Sequence, residues 1–218
     1  MSTDELKDWR QRLEAWLAAQ PADGDAAHDL AHLRRVWHTA QALLRESPAA
    51  DALVVLAACY LHDLVNLAKN DPRRALASRL AAERSHEVLA TLGFPPDRIA
   101  AVAHAIEAHS FSAAIEPRTE EACIVQDADR MDALGAVGLA RMFYVSGRLE
   151  RKLAHGDDPL ATHRPLDDLE YALDHIDVKL ARLPDMMRTR AGARLAQARL
   201  ARVFAFRDQF IDEWGSEN

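Results

Sequence analysis

The stretch 53–63, LVVLAACYLHD, decides how this chain folds. Nine residues that are almost all apolar are followed directly by His62 and Asp63, at the point where a buried helix should reach the surface. Adjacent side chains on a helix are about 100° apart. Both can therefore reach one metal ion only if it lies over the groove between them and other helices supply the remaining ligands. The stretch predicts a core helix that ends in a metal site.

Candidate ligands occur on both sides of that helix. His32 lies upstream in HLRRV, and Asp129 lies downstream in VQDADRMDALGAVGLAR. Asp127 and Asp132 compete with Asp129, but helical spacing puts Asp129 and Asp132 on one face and turns Asp127 away. Two imidazoles and two carboxylates suit manganese, iron, cobalt, nickel or zinc better than calcium. A six-coordinate ion held by four side chains would keep positions for water and a phosphate oxygen.

Hydrophobic periodicity elsewhere is helical, and breaks at proline, glycine and asparagine separate the periodic segments. No alternating strand pattern of useful length occurs. We therefore predict an all-α protein with one domain over residues 1–218, a core at about 25–180 and a C-terminal helix at about 186–214 packing on it. The 218 residues, 49% of them hydrophobic, suffice for one sizeable core.

The charge balance limits the partners. A net charge of -7 argues against general nucleic-acid binding, which relies on a basic footprint. The longest apolar stretch, 52–61, is shorter than the roughly 18 to 20 residues that span a bilayer. The acidic N-terminus has no signal-peptide pattern. We expect a cytoplasmic protein that binds neither nucleic acid nor membrane.

The ordered set His32, His62, Asp63 and Asp129 resembles the metal ligands of the HD superfamily of phosphohydrolases. The segments HLRRV, YLHDLVNLAKNDPRR, EAHSFSA and QDADRMDALGAVGLAR are similar to its bacterial branch that hydrolyses nucleotides, over about residues 25–214. The resemblance implies a helical bundle of the HD type that binds one divalent ion. Manganese is expected first, with magnesium, iron, cobalt, nickel and zinc as alternatives.

The resemblance also implies a substrate class. The similar branch acts on nucleoside triphosphates, releasing pyrophosphate and leaving a monophosphate, so a small nucleotide is the expected partner. Lys69 and Arg74, in the turn AKNDPRR, and Arg35, next to the first ligand, are predicted to bind phosphate. The apolar faces that carry Trp9, Trp16 and Trp214 could pack within the chain or form a homodimer surface.

Other predicted site residues have two interpretations each. His109 should line the pocket, since HSFS resembles the family pattern; two-metal relatives carry consecutive histidines near here, so one metal is expected. Asp132 could contact substrate or form an ion pair with an arginine. Glu83 lies in a region from which relatives supply acid or base groups, and is predicted to be catalytic together with Asp63. Glu83 and His86 also fit a solvated pair on one helix face.

Two other functions compete with the phosphohydrolase. HDLAH, residues 28–32, has the histidine spacing of a zinc protease helix, with Asp29 in place of glutamate. Asp29 is one methylene shorter than glutamate, and the segment is better interpreted as a helix start in which Asp25 or Asp29 caps or faces the first turn. The other alternative is a nucleotide-sensing HD domain whose metal is structural.

Overall fold

The computed structural model describes residues 3–20, 29–65, 67, 71 and 73–215. The regular secondary structure of these residues is helical. Within the same ranges the only β-type pairing is a single bridge between Lys152 and Tyr171. The α-helices are α1 Thr3–Ala18, α2 Leu30–Leu44, α3 Ala52–Leu61, α4 Ala77–Thr91, α5 Pro96–His109, α6 Glu120–Met131, α7 Gly135–Arg148, α8 His175–Val178 and α9 Arg190–Trp214. Short 3-10 helices occupy Arg74–Leu76, Leu180–Arg182 and Pro184–Met186. The all-α prediction is confirmed.

The contacts of the chain divide it into two compact units, residues 1–129 and 130–218. The division falls inside α6, between Asp129 and Arg130. A single domain over 1–218 stays a prediction. No helix in the described part of the chain is both long and apolar enough to cross a bilayer.

The core of the first unit is built around α3. All residues of α3 from Leu53 to Leu61 are buried, as expected of a helix that is apolar on every side. Helices α1, α2 and α5 pack against it. Each fully buried leucine or valine there stabilises the fold by about 1.5–3 kcal/mol. The Asp51 side chain accepts a hydrogen bond from the Leu53 N–H at 2.9 Å and so fixes where the helix begins.

The second unit has its own core, to which α7, α8 and α9 all contribute. Gly135 begins α7 with a φ of +74°, a left-handed conformation that glycine adopts without strain. A side chain at Gly138 would lie 2.2 Å from the Ala133 backbone. Both glycines of the segment GAVG are therefore required by the backbone. Helix α9 starts at Arg190, four residues later than predicted, because the Thr189 hydroxyl caps it through the Gly192 N–H.

A long connection, residues 149–174, joins α7 to α8. Its internal bonds hold it in place. The Arg164 guanidinium donates to both oxygens of the buried Asp174 carboxylate at 2.6 and 2.8 Å. The Asp174 carboxylate also accepts the Asp167 N–H at 2.7 Å.

Candidate metal centre

Three elements of the first unit bring four predicted ligands together. His32 lies in the first turn of α2, His62 and Asp63 follow α3, and Asp129 lies in the last turn of α6. The two histidine Nε2 atoms are 3.3 Å apart. Asp63 Oδ2 lies 3.5 Å from the first of them and 3.3 Å from the second. Asp129 Oδ1 lies 3.5 and 3.6 Å from the same two atoms.

These separations fit a shared cation. Two donor atoms bonded to one ion at about 2.1 Å lie about 3.0 Å apart at a right angle and about 3.4 Å apart at a tetrahedral angle. The five distances, 3.3 to 3.6 Å, lie within about 0.2 Å of the tetrahedral value and about 0.3–0.6 Å above the right-angle value. The nitrogen and oxygen donors form the set that a divalent transition metal prefers. The group could therefore hold one such ion.

Backbone carbonyls orient two imidazoles here. The Nδ1 of His62 donates to the Cys59 carbonyl at 3.0 Å, and the Nδ1 of His109 donates to the Ile106 carbonyl at 2.6 Å. A carbonyl can only accept, so the proton sits on Nδ1 in each ring. A metal would bind at Nε2 of such a ring, in place of the second proton that the neighbouring carboxylates favour on His62 when no metal is bound.

The electrostatics of the centre favour a cation. Burial alone would lower the pKa of His62, but the carboxylates of Asp63 and Asp129 outweigh it and raise that pKa well above its usual value. Burial opposes ionisation of Asp63, yet the imidazoles of His62 and His32 hold the pKa of Asp63 well below its usual value. Burial opposes ionisation of Asp129 as well, and the hydrogen bond from His62 lowers its pKa. Both carboxylates are ionised at neutral pH, as metal binding requires.

His109, predicted to line the pocket, lies against the ligands. Its Nε2 is 3.9 Å from Asp63 Oδ1, and its ring meets the ring of His62 edge-on with centroids 4.8 Å apart. Burial lowers the pKa of His109, assisted by the charge on His62. His62, Asp63 and His109 also have ligand atoms within 4.8 Å of one another. The histidine is thus placed to face whatever occupies the centre.

The predicted phosphate cations have different surroundings. Arg74 is half-buried and donates from Nη1 to the Leu67 carbonyl at 2.7 Å. Arg35 is half-buried on α2. Its neighbour Arg34 instead forms an ion pair with Glu14 of α1 at 2.6 Å. Lys69 lies outside the described residues.

The structure also describes Asp132 and Glu83, two further predicted site residues. Asp132 is buried beyond the end of α6, and its carboxylate pairs with Arg141. Of its two predicted roles, the structure shows the ion pair. Helix α6 ends at Met131, so Asp132 is the first residue beyond it, and a shared face with Asp129 stays a prediction. Glu83 is exposed on α4, one turn from the exposed His86.

Sequence reasoning did not single out three residues that support the centre. The Gln126 side chain, buried in α6, donates to the Ala108 carbonyl at 2.6 Å, next to His109. Glu14 and Tyr60 are bonded to each other at 2.6 Å. No pattern of spacing indicates such pairs, although a glutamine or tyrosine inside an apolar helix needs a buried partner.

The comparisons with known proteins agree with this geometry. The HD domain family model matches residues 29–134. The chain is 35% identical over 199 residues to the uncharacterized protein YpgQ of Bacillus subtilis strain 168, covering 89% of this chain and 88% of that relative. The crystal structure of Bacillus subtilis YpgQ in complex with ADP superposes with a TM-score of 0.68 and 29% identity, over 96% of this chain and 93% of that one.

A second solved structure, an HD-superfamily hydrolase from Bacillus thuringiensis, superposes with a TM-score of 0.74 and 27% identity. The superposition covers 97% of this chain and 100% of that one. The chain therefore belongs to the HD superfamily of hydrolases, as its four candidate ligands predict. The Asp29 side chain accepts the His32 N–H at 2.9 Å and caps α2, so this carboxylate has the capping role that the sequence offered as the alternative to zinc chemistry.

Proposed function

We propose that this protein is a metal-dependent phosphohydrolase that cleaves nucleoside triphosphates to a nucleoside monophosphate and pyrophosphate, with manganese as its ion. The observation that carries the proposal is that an oxygen of Asp63 and an oxygen of Asp129 each lie 3.3–3.6 Å from the Nε2 atoms of His32 and His62, which are themselves 3.3 Å apart. A divalent cation bound there would polarise a phosphate oxygen and lower the pKa of a water molecule.

The side chains around the metal ligands would position the substrate and supply positive charge near its phosphates. In the proposed reaction a water oxygen attacks the α-phosphorus, the bond from that phosphorus to the bridging oxygen breaks, and pyrophosphate leaves. Such a reaction needs positioning and positive charge around the phosphate more than covalent help. Arg74, Lys69 and Arg35 are proposed to supply that charge, because a chain with a net charge of -7 must attract an anion locally. His109 is proposed to contact the substrate.

The nucleotide class has support from a relative. The YpgQ structure contains ADP, which carries the phosphoanhydride and base of the proposed substrates. Arg74 is consistent with a phosphate role, because its bond to Leu67 holds the guanidinium in the turn after the ligands. A guanidinium has five N–H donors, so this bond leaves others for phosphate oxygens. Asp63 and Glu83 stay predictions as catalytic groups.

The decisive experiment measures metal content and products together. Purified protein is given ATP, GTP, CTP and UTP with manganese, and the products are separated to distinguish pyrophosphate from orthophosphate. We expect one metal per chain and release of pyrophosphate. His62→Ala should abolish both metal binding and turnover, whereas His86→Ala, which removes an exposed histidine of α4, should change neither.

Two outcomes would contradict the proposal. Bound metal without turnover of any triphosphate would favour a nucleotide-sensing domain. Loss of metal and activity in His28→Ala would favour the zinc hydrolase, because that reading makes His28 a ligand. His28 lies outside the described residues, and the proposal expects its removal to leave both properties intact.

A further inference from the structure

One carboxylate of α1 binds the two helices that carry the candidate histidine ligands. Glu14 Oε1 accepts a hydrogen bond from the Tyr60 hydroxyl of α3 at 2.6 Å. Both Glu14 oxygens accept from the Arg34 guanidinium of α2, at 3.1 and 2.6 Å. Tyr60 is 1% exposed and the Glu14 side chain 17% exposed, so water competes weakly for the bond between them, whereas the Arg34 side chain is 56% exposed and its pair with Glu14 is open to solvent. The three side chains form a hub that joins α1, α2 and α3.

The hub residues have a fixed relation to the metal centre. Arg34 follows His32 by two positions, and Tyr60 precedes His62 by two positions. Residues two apart on a helix point about 200° apart. Glu14 therefore binds each ligand helix on the side opposite its histidine. A shift of either helix relative to the other would change the 3.3 Å separation of the two Nε2 atoms.

Apolar contacts dock α1 independently of the hub. Leu13 is fully buried, and the Trp9 ring packs edge-on against Phe94 with centroids 5.0 Å apart. Arg12 also donates to the Leu92 carbonyl. Helix α1 lies before residues 29–134, which match the HD family model. Helix α1 thus lies outside the matched region. Glu14 is its one charged residue that is not exposed, and it contacts both helices that carry the histidine ligands.

We propose that Glu14 is a positioning residue that sets the separation of His32 and His62 and thereby the affinity of the centre for a divalent cation. This inference rests on the metal site of the proposed function, although not on its substrate. A bound ion holds its ligands to within a few tenths of an ångström, so the helices that present them must be held equally well. Removing a residue that orients metal ligands typically weakens metal affinity by about 10- to 100-fold.

The test uses full-length, metal-free protein and manganese chloride as the probe. Glu14→Gln removes the charge that holds Arg34, and Tyr60→Phe removes a single hydrogen bond while keeping the buried ring. Calorimetric titration should show manganese binding about 10- to 100-fold weaker in Glu14→Gln and a smaller loss in Tyr60→Phe. The electron paramagnetic resonance spectrum of the bound manganese should also change, because its ligand geometry does.

Matched controls separate positioning from general stability. Asp8→Asn removes an exposed pair with Arg12 on the same helix and should leave manganese affinity unchanged. Leu13→Ala loosens α1 through its apolar face, and we expect it to lower the free energy of unfolding in urea at least as much as Glu14→Gln while binding manganese more tightly than that variant. If Glu14→Gln does not fold, Tyr60→Phe carries the test with the same two readouts.

Turnover gives a second, separable readout. At saturating manganese, Glu14→Gln should regain the wild-type kcat, with only the metal concentration for half-activation raised. Wild-type manganese affinity in Glu14→Gln, or equal weakening in Leu13→Ala, would overturn the inference. A wild-type protein that binds manganese but hydrolyses no nucleotide would refute the proposed function and leave the binding test intact. Absence of manganese binding in the wild type would overturn both.

Discussion

Asp129→Asn should abolish metal-induced stabilisation. Asp129 supplies one of four donors and one of two negative charges, at 3.5 and 3.6 Å from the imidazoles of His32 and His62. At a manganese concentration 100-fold above the Kd, metal binding should raise the free energy of unfolding of the wild type by about 2.7 kcal/mol. For a chain of this size that gain raises the Tm by about 5–11 °C. If the substitution weakens binding at least a hundredfold, the gain at the same metal concentration falls to about 0.4 kcal/mol, or about 1–2 °C.

The assay is thermal unfolding followed by circular dichroism, with and without manganese, each variant compared with its own metal-free sample. Asp127→Asn is the matched control, because this buried carboxylate lies two residues away on the same helix. It should keep the full metal-induced shift even if its metal-free Tm falls. A wild-type shift in Asp129→Asn, or loss of the shift in Asp127→Asn, would show that the last ligand is misassigned.

Arg74→Ala should lower kcat/KM for nucleoside triphosphates by about tenfold to a thousandfold without weakening manganese binding, as measured by steady-state kinetics beside a metal titration; wild-type kinetics would move phosphate recognition elsewhere. Arg164→Met leaves the buried Asp174 carboxylate without its charged partner and should lower the free energy of unfolding, measured in urea, by about 3–5 kcal/mol. Adding Asp174→Asn to this variant should restore part of the lost stability. The hydrogen bond from Arg34 keeps the pKa of Glu14 below its ordinary 4.5. The ionised Glu14 carboxylate therefore stabilises the fold above that pH, and this stabilisation is lost as the pH falls through the lowered pKa. The difference in unfolding free energy between wild type and Glu14→Gln should accordingly shrink as the pH falls below 4.5.

The helices were largely predictable because their signals are local. The continuous apolar run of α3 has one stable solution, a helix covered by other helices, and Leu53 to Leu61 are all buried. The start of α9 was misjudged by four residues, since a cap depends on the Thr189 hydroxyl reaching one N–H rather than on periodicity. The pair of Asp132 with Arg141 involves residues on either side of the start of α7 and could not be chosen from spacing over the substrate role.

The centre was predictable in its ligands but not in its surroundings. An adjacent histidine and aspartate at the end of a buried helix require compensation, which is why the sequence already indicates His62 and Asp63 as a metal pair. The contact of His109 with Asp63 depends on how α5 ends, and the bond of Arg74 to Leu67 depends on how the turn closes. Neither can be deduced from spacing.

By itself the sequence determined the helical class and the order of the candidate ligands, because periodicity and the cost of burying unpaired carboxylates act within single segments. The superfamily followed from the resemblance of four motifs in the chain to that family. Only the tertiary structure decided which charged residues form ion pairs with one another: Arg34 pairs with Glu14 and Asp132 with Arg141. The tertiary structure also brought Tyr60 to Glu14, across 46 positions of sequence. Such pairs form only when side chains from separate helices meet within about 3 Å, and that distance is set by the packing of whole helices rather than by any pattern along the chain.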